Sequence, residues 1–472
     1  MEKLSKSGTP GLLVLSVLLV FLLIGCSLLP SQQGNTPGVT PTVLSATATP
    51  GLTPSTVAAS TNDWTTYHQN NSRTGYVAAT PDPKTLTKAW SKQLDGSVYA
   101  EPLVVGGRVI VATEGDSLYA FDQTGKQLWH TNVGTPVARS TLPCGDIDPL
   151  GITGTPVYDA TTGLVFAVAE VEGPAHILVG VDVASGVVKV HLSADIPGMD
   201  ARAHQQRAAL ALSKGMVYIA YGGLAGDCSD YRGTIVAART DGTGSLLSYR
   251  IPTPREGGIW APPGPSVDST GNLYVAVGNG EKTSGTWDHS DSVLRLSSKL
   301  QLEDGFAPVH WPAENATDAD LGSTGPLLLP KGWIYADGKS GLGYVLKASH
   351  LGGVGGQTSL ISICRAFGGA AAIGSQVLVP CTTGLRSLNV SSTGQIALGW
   401  RAASTIQGSP IAGGHTVYAL DIHGVLFALN SSTGVARASV SVGTVNRFAT
   451  PTLAGKMLFV GTLSGIVAVQ LA

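Results

Sequence analysis

Charge is scarce in this chain: only 13% of its 472 residues are Asp, Glu, Lys or Arg, and the formal net charge is −2. It has no basic run and no basic tract interleaved with aromatics. Such a balance sets up no field that would draw the protein to nucleic acid or to an anionic membrane. Several chemistry-bearing spacings are missing too. There is no Cys-x-x-Cys and no His-rich spacing to hold a metal or haem. No Gly-x-Ser-x-Gly elbow and no paired-carboxylate motif supports a hydrolase. Glycine and apolar residues are abundant instead, at 61 residues and 43%. That combination fits many short buried strands separated by tight turns.

The N-terminus sets the compartment. Lys3 and Lys6 precede an almost wholly apolar run from Leu12 to Ile24, and Leu23-Ile24-Gly25-Cys26 follows at once. This is the arrangement of a secretory signal. Its end resembles the bacterial lipoprotein box, in which the cysteine is lipidated and becomes the first residue, so residues 1–26 are read as a lipoprotein signal with Cys26 as the lipidation site. The alternative is an uncleaved signal anchor, because the apolar run reaches Leu29, about the length of a short membrane span. Either reading puts the rest of the chain outside the cytoplasm. Residues 27–62 are crowded with Thr, Ser, Pro and Ala and nearly lack charge and aromatics. They cannot bury enough surface to fold and are expected to form an extended tether.

Four cysteines remain: Cys144, Cys228, Cys364 and Cys381. An even number in an oxidising compartment predicts two disulfides. Cys364 and Cys381 are expected to pair within one repeat, which leaves Cys144 for Cys228, each in a Gly/Asp-rich loop. Four buried free thiols are the alternative.

Residues 63–472 are organised by a pattern that returns eight times, a short Pro- or Gly-led apolar strand, a Gly-bearing turn, and a second apolar strand. The openings are Glu101–Val105, Thr155–Tyr158, Gln206–Leu210, Gly264–Val267, Gly325–Leu329, Gly368–Ala371, Ser409–Ile411 and Thr450–Leu453. A period of roughly 40–60 residues built only of strands predicts a β-propeller, one four-stranded antiparallel blade per repeat. In the first blade the strands are read at Pro102–Val105, Arg108–Thr113, Ser117–Asp122 and Lys126–Thr131, with Asp122-Gln123-Thr124-Gly125 as the outer turn. The eighth repeat ends after three strands. Leu86–Leu94, which matches the first blade's outer strand down to its Trp, is predicted to supply the fourth and close the ring.

These repeats carry a resemblance. Ala120-Phe121-Asp122-Gln123-Thr124-Gly125-Lys126-Gln127-Leu128-Trp129 resembles, one residue short, the docking motif of pyrroloquinoline-quinone (PQQ) dehydrogenases. Trp64–Asn70 with Arg73-Thr74-Gly75, Gly151–Pro156, Ala276–Gly280 and Asp320–Pro326 also look like quinoprotein text. From Trp64 to Ala472 the chain thus resembles the quinoprotein-like β-propeller repeat family, as a lipoprotein member. The resemblance implies an eight-bladed fold and, in catalytic members, PQQ with calcium for oxidising an alcohol or sugar. The chain departs from those members: no two cysteines are adjacent, no Cys-x-x-Cys-His is present, and neither the calcium ligands nor the catalytic Asp matches particular positions. Non-catalytic members include lipoprotein propellers that scaffold outer-membrane protein assembly. The expectation is therefore a monomeric, lipid-anchored, non-catalytic module for a cell-envelope protein or a small anionic ligand, with a divergent PQQ-dependent dehydrogenase as the alternative.

Residues just before the inner strands of a propeller can face a common funnel. Here they are Glu101, Arg139, Gln206, Arg207, Trp260, Asp320, Arg365, Gln407 and Arg447. Four arginines from separate blades would suit bidentate recognition of carboxylates; PQQ, a tricarboxylate, would fit, with Trp260 as a stacking floor. Alternatively the arginines pair with Glu101, Glu256 and Asp320 and bridge blades. Asp146, Asp148, Asp227 and Asp230 read as solvated turn residues before calcium ligands, and His204 as a hydrogen-bonded rim residue. Trp287-Asp288-His289 and His310-Trp311 lie in insertions of the fourth blade that could cover the mouth or meet a partner.

Overall fold

The computed structural model describes residues 63–472. The signal segment, Cys26 and the tether at 27–62 lie outside the described residues. The described chain is an eight-bladed β-propeller, each blade a four-stranded antiparallel unit. Blade 1 comprises Leu103–Val105, Arg108–Thr113, Ser117–Asp122 and Gln127–Asn132, inner to outer. Its second and third strands are buried almost throughout, whereas the outer strand alternates exposed and covered positions. The reason is geometric: inner strands are sandwiched between neighbouring blades and need apolar residues on both faces, while an outer strand meets water on one side. Leu86–Gln93 pairs antiparallel with Gly465–Leu471, Leu86 opposite Leu471 and Gln93 opposite Gly465, so first and last strands close blade 8.

Three blades carry an extra short strand. Tyr76–Val77 runs parallel to the inner strand of blade 7, Gly353–Val354 parallel to the outer strand of blade 4, and His204–Gln205 pairs with the upper end of Met216–Gly223 in blade 3. The inner strand of blade 3 begins at Ala211, five residues beyond the expected opening at Gln206. Residues 206–210 do not start that strand because their N–H groups are used sideways: Gln206 donates to Glu170 Oε1, Ala209 to Pro262 O and Leu210 to Thr155 O. They stitch blade 3 to its neighbours instead.

The segment Trp64–Val77 crosses the base of the central channel and is bonded to the inner strands of seven blades and to the lead-in of the eighth. The carbonyls of Trp64, Thr65, Asn71, Ser72, Thr74 and Gly75 accept the N–H groups of Val104, Tyr158, Val267, Leu328, Ala372 and Ala412, in blades 1, 2, 4, 5, 6 and 7. Asn71 Nδ2 donates to Leu212 O in blade 3, and the Tyr67 hydroxyl bonds Thr450 Oγ1 beside the inner strand of blade 8. His68, Gln69 and Arg73 take left-handed φ values of 52°, 70° and 64°, which fold the segment into so narrow a space. Arg73 is 1% exposed at its centre, donating to the carbonyls of Tyr67, Leu210 and Pro265 and to Thr66 Oγ1. The channel is thus blind from one side.

Candidate functional site: an aromatic and basic funnel

On the other side, where the inner strands begin, lies a cavity of about 320 Å³. Two kinds of segment build it: residues immediately before the inner strands, and turns between second and third strands, which reach the same mouth. Arg207, between the sideways-bonded Gln206 and Ala208, projects over the ring of Trp260 at 5.5 Å. Lys339, in the second-to-third turn of blade 5, lies 5.8 Å from the same ring. Its ammonium is already engaged, by Asp318 and by buried Asp320 at 2.9 Å. Across the cavity Arg447 sits 4.2 Å from the Phe367 ring and 5.7 Å from Phe448, and Arg365 lies 5.3 Å from Phe367. Burial, then the neighbouring Arg365, lowers the pKa of Arg447. Burial likewise lowers that of Arg207, against Asp227 and Tyr231. Among the described residues none of Arg207, Arg365 and Arg447 has a carboxylate within salt-bridge distance. Guanidinium groups on aromatic faces, without an ion-pair partner, keep their donors available to an incoming anion.

One wall is held by the disulfide between Cys144 and Cys228, which joins the loop before blade 2 to the second-to-third loop of blade 3. Val137, Leu142, Ile147, Leu150 and Leu224 pack around it as a small separate core. The second disulfide joins Cys364 and Cys381 within blade 6. Both pairings are those expected from the sequence.

The nine expected mouth residues divide. Arg207, Trp260 and Arg447 line the cavity; Asp320 and Arg365 stand behind it, through Lys339 and Phe367. Glu101 does not reach it: buried in the base, it accepts the Trp64 indole N–H at 2.9 Å and the His68 N–H at 2.8 Å. Gln206 is buried in the wall, its Nε2 donating to Ala208 O. Arg139 is exposed and donates to Gly145 O, and Gln407 donates to Ser404 O. Among the described residues none of the four arginines pairs with Glu101, Glu256 or Asp320 to bridge blades: Glu256 takes its sequence neighbour Arg255, at 2.7 Å, and Asp320 takes Lys339 within blade 5.

Sequence reasoning missed Lys339, Phe367, Phe448 and Tyr99, all in the lining. Phe367 and Phe448 stand beside named arginines, and Lys339 sits in a Gly-rich turn after a buried strand, so turns at that height were the available signal. His204 is buried, its ring nitrogens on the carbonyls of Asp200 and Arg232. Trp287 donates to Ser290 O, and Trp311 opens the short helix Trp311–Ala316 and is buried; neither lines the cavity. Among the described residues no group of His, Cys, Asp or Glu is arranged to hold a metal ion.

Residues 59–222 match the family model described as outer membrane protein assembly factor BamB. Solved β-propellers are similar in fold over most of the chain. A quinohemoprotein alcohol dehydrogenase from Comamonas testosteroni is similar with a TM-score of 0.65 at 18% identity, covering 88% of this chain and 81% of its own. A europium-containing methanol dehydrogenase gives 0.66 at 13% identity, over 87% and 98%. BamB from Moraxella catarrhalis gives 0.56 at 14% identity, over 82% and 98%. No curated protein matches the sequence.

Proposed function

We propose that this PQQ-like β-propeller is an extracytoplasmic, lipid-anchored binding module that captures an anionic group of a small ligand or envelope protein in its blind funnel, without catalysis. The observation that carries the reading is the seating of Arg207 and Arg447 on aromatic rings with no carboxylate among the described residues within salt-bridge distance. The signal-like N-terminus with Cys26 supports the anchor and the compartment.

A second reading, a divergent PQQ-dependent oxidoreductase, is favoured by Trp260 with Arg207 above it, a stacking floor for a planar acid. The rest of the residue set fits it poorly. The four cysteines of the propeller are committed to disulfides 84 and 17 residues apart, so none forms an adjacent pair, and among the described residues no acidic set is arranged for calcium. The residues fit a planar anion and do not fit calcium-assisted quinone chemistry.

The test is a titration of the full chain with PQQ, with and without calcium, followed by tryptophan quenching. Saturable, calcium-independent binding that is lost in Arg207→Ala and Arg447→Ala is expected, with no reduction of an acceptor dye by alcohols or sugars. Dye reduction would overturn the non-catalytic reading, and binding unaffected by both substitutions would remove the funnel from it.

A further inference from the structure

We propose that three buried carboxyl groups in the wall behind the funnel, Glu114, Asp116 and Glu170, form a charge switch that weakens anion capture by Arg207 when they ionise. The proposal rests on the anion-binding reading above. Glu114 and Glu170 occupy equivalent places, at the upper end of the second strands of blades 1 and 2. Each reaches sideways to the segment that opens the next blade: Glu114 Oε2 accepts the Gly151 N–H at 2.7 Å, and Glu170 Oε1 the Gln206 N–H at 2.6 Å. Those segments then present Thr153 and Arg207 to the cavity. The two glutamates are therefore positioning residues for the wall as well as charges behind it.

The three groups are 1%, 0% and 3% exposed. Among the described residues neither oxygen of Asp116 has a hydrogen-bond partner, and the other oxygen of Glu114 has only the Thr153 hydroxyl to turn to. Only Glu170 has a cationic neighbour at close range, His176, whose Nε2 lies 3.8 Å from it while Nδ1 is held by Asp195 at 2.6 Å. Arg207 acts on Glu170 from further off. The remaining groups facing the cluster repel it: Asp146 faces Glu114, Asp95 faces Asp116, and Asp195 faces Glu170. No metal-holding arrangement is present among the described residues to neutralise them.

Buried carboxylates without cations hold a proton instead. Burial, and for Asp116 also Glu114, pushes Glu114 and Asp116 up to about 8; burial, opposed by His176, pushes Glu170 up to about 7. Below neutrality these three groups are uncharged, and the guanidinium of Arg207 faces the cavity against the nearby acids Asp227, Asp146 and Asp320 alone. Above it the protons leave to solvent and negative charge appears behind the arginine. By linkage, an anion that binds must raise these same pKa values, one unit for each tenfold of affinity.

The experiment uses naphthalene-1,5-disulfonate, an aromatic dianion of constant charge, titrated into the full chain between about pH 6 and 9. Wild type is expected to bind about tenfold more weakly at the upper end. Glu170→Gln and the double variant Glu114→Gln/Glu170→Gln, isosteric with the protonated forms, are expected to flatten the profile by restoring alkaline affinity. Carboxyl ¹³C signals give a second, ligand-free readout: the Glu170 signal titrating near neutrality should vanish in both variants and that of Glu114 in the double variant, leaving that of Asp116. A flat wild-type profile, a profile as steep in the variants, or carboxyls that titrate only in the ordinary acid range would each overturn the switch. Carboxyls that titrate as expected in a protein that binds the dianion at no pH would instead overturn the anion-binding reading, leaving no capture to regulate.

Discussion

Arg73→Met is the perturbation that asks most directly whether the N-terminal segment holds the ring together. The arginine is fully buried and its guanidinium serves the carbonyls of Tyr67 at 3.1 Å, Leu210 at 3.1 Å and Pro265 at 2.8 Å, and Thr66 Oγ1 at 2.6 Å. It thereby ties the segment to blades 3 and 4 and supplies the charge opposite buried Glu101. Methionine preserves most of the apolar volume and removes all the donors. A buried carbonyl left without a partner costs about 1–3 kcal/mol. Leu210 O retains Thr66 Oγ1 at 3.4 Å, so two carbonyls are left bare. With partial relaxation the loss should be about 3–5 kcal/mol, a large part of the ~5–15 kcal/mol typical of a folded domain. Urea unfolding monitored by circular dichroism measures it as a fall in midpoint at constant slope. Arg139→Met, at an exposed position, is the control and should move stability by no more than about 0.5 kcal/mol. A loss below about 1 kcal/mol in Arg73→Met would refute the idea that this segment is the hub of the ring.

Further outcomes follow from other contacts. Gly125→Ala should destabilise by about 1–3 kcal/mol, because its φ is +87° and a Cβ would lie 2.8 Å from the Trp90 ring of the neighbouring blade; thermal denaturation reads this directly. Removing the Cys144–Cys228 disulfide as a Ser/Ser pair should cost more than removing Cys364–Cys381, by about 1.4 kcal/mol if unfolded-chain entropy governs, since the bridged separations are 84 and 17 residues. Stability should also fall as pH rises from about 5 to 9. Glu114, Asp116 and Glu170 have folded pKa values raised to about 8, 8 and 7 from ordinary values of 4.5, 3.8 and 4.5. Their protonated forms are thus favoured by folding, and that stability is whole below the unfolded pKa and lost as pH climbs through the folded one. Glu114→Gln should shrink the loss in pH-dependent urea titrations; an undiminished slope would reject the assignment.

The fold was legible because it repeats. One blade's grammar, a Pro- or Gly-led strand and an Asp-x-x-Gly turn, can be checked against seven others, and the missing fourth strand of blade 8 pointed to Leu86–Gln93. The site was legible only where a repeat rule applied without parity. The rule that residues before inner strands face the mouth holds for Arg207 and fails for Gln206, its immediate neighbour. In a paired strand the period of two fixes which of two neighbours points inward. The opening segments are not paired strands, so their parity is set by single sideways bonds, here that of the Gln206 N–H to Glu170. Such a bond joins residues 36 positions apart and leaves no periodic trace. The base of the channel escaped for the same reason: the carbonyls of Trp64–Gly75 meet N–H groups in six blades, and nothing local in the sequence counts them. What the sequence did mark is the expense of the arrangement, a lone Arg73 and acids such as Glu101, Glu114 and Glu170 placed among apolar strands in a chain otherwise sparing of charge. In a propeller this poor in ionisable groups, a charge inside a strand-rich stretch points to a group that the ring's assembly or its funnel requires.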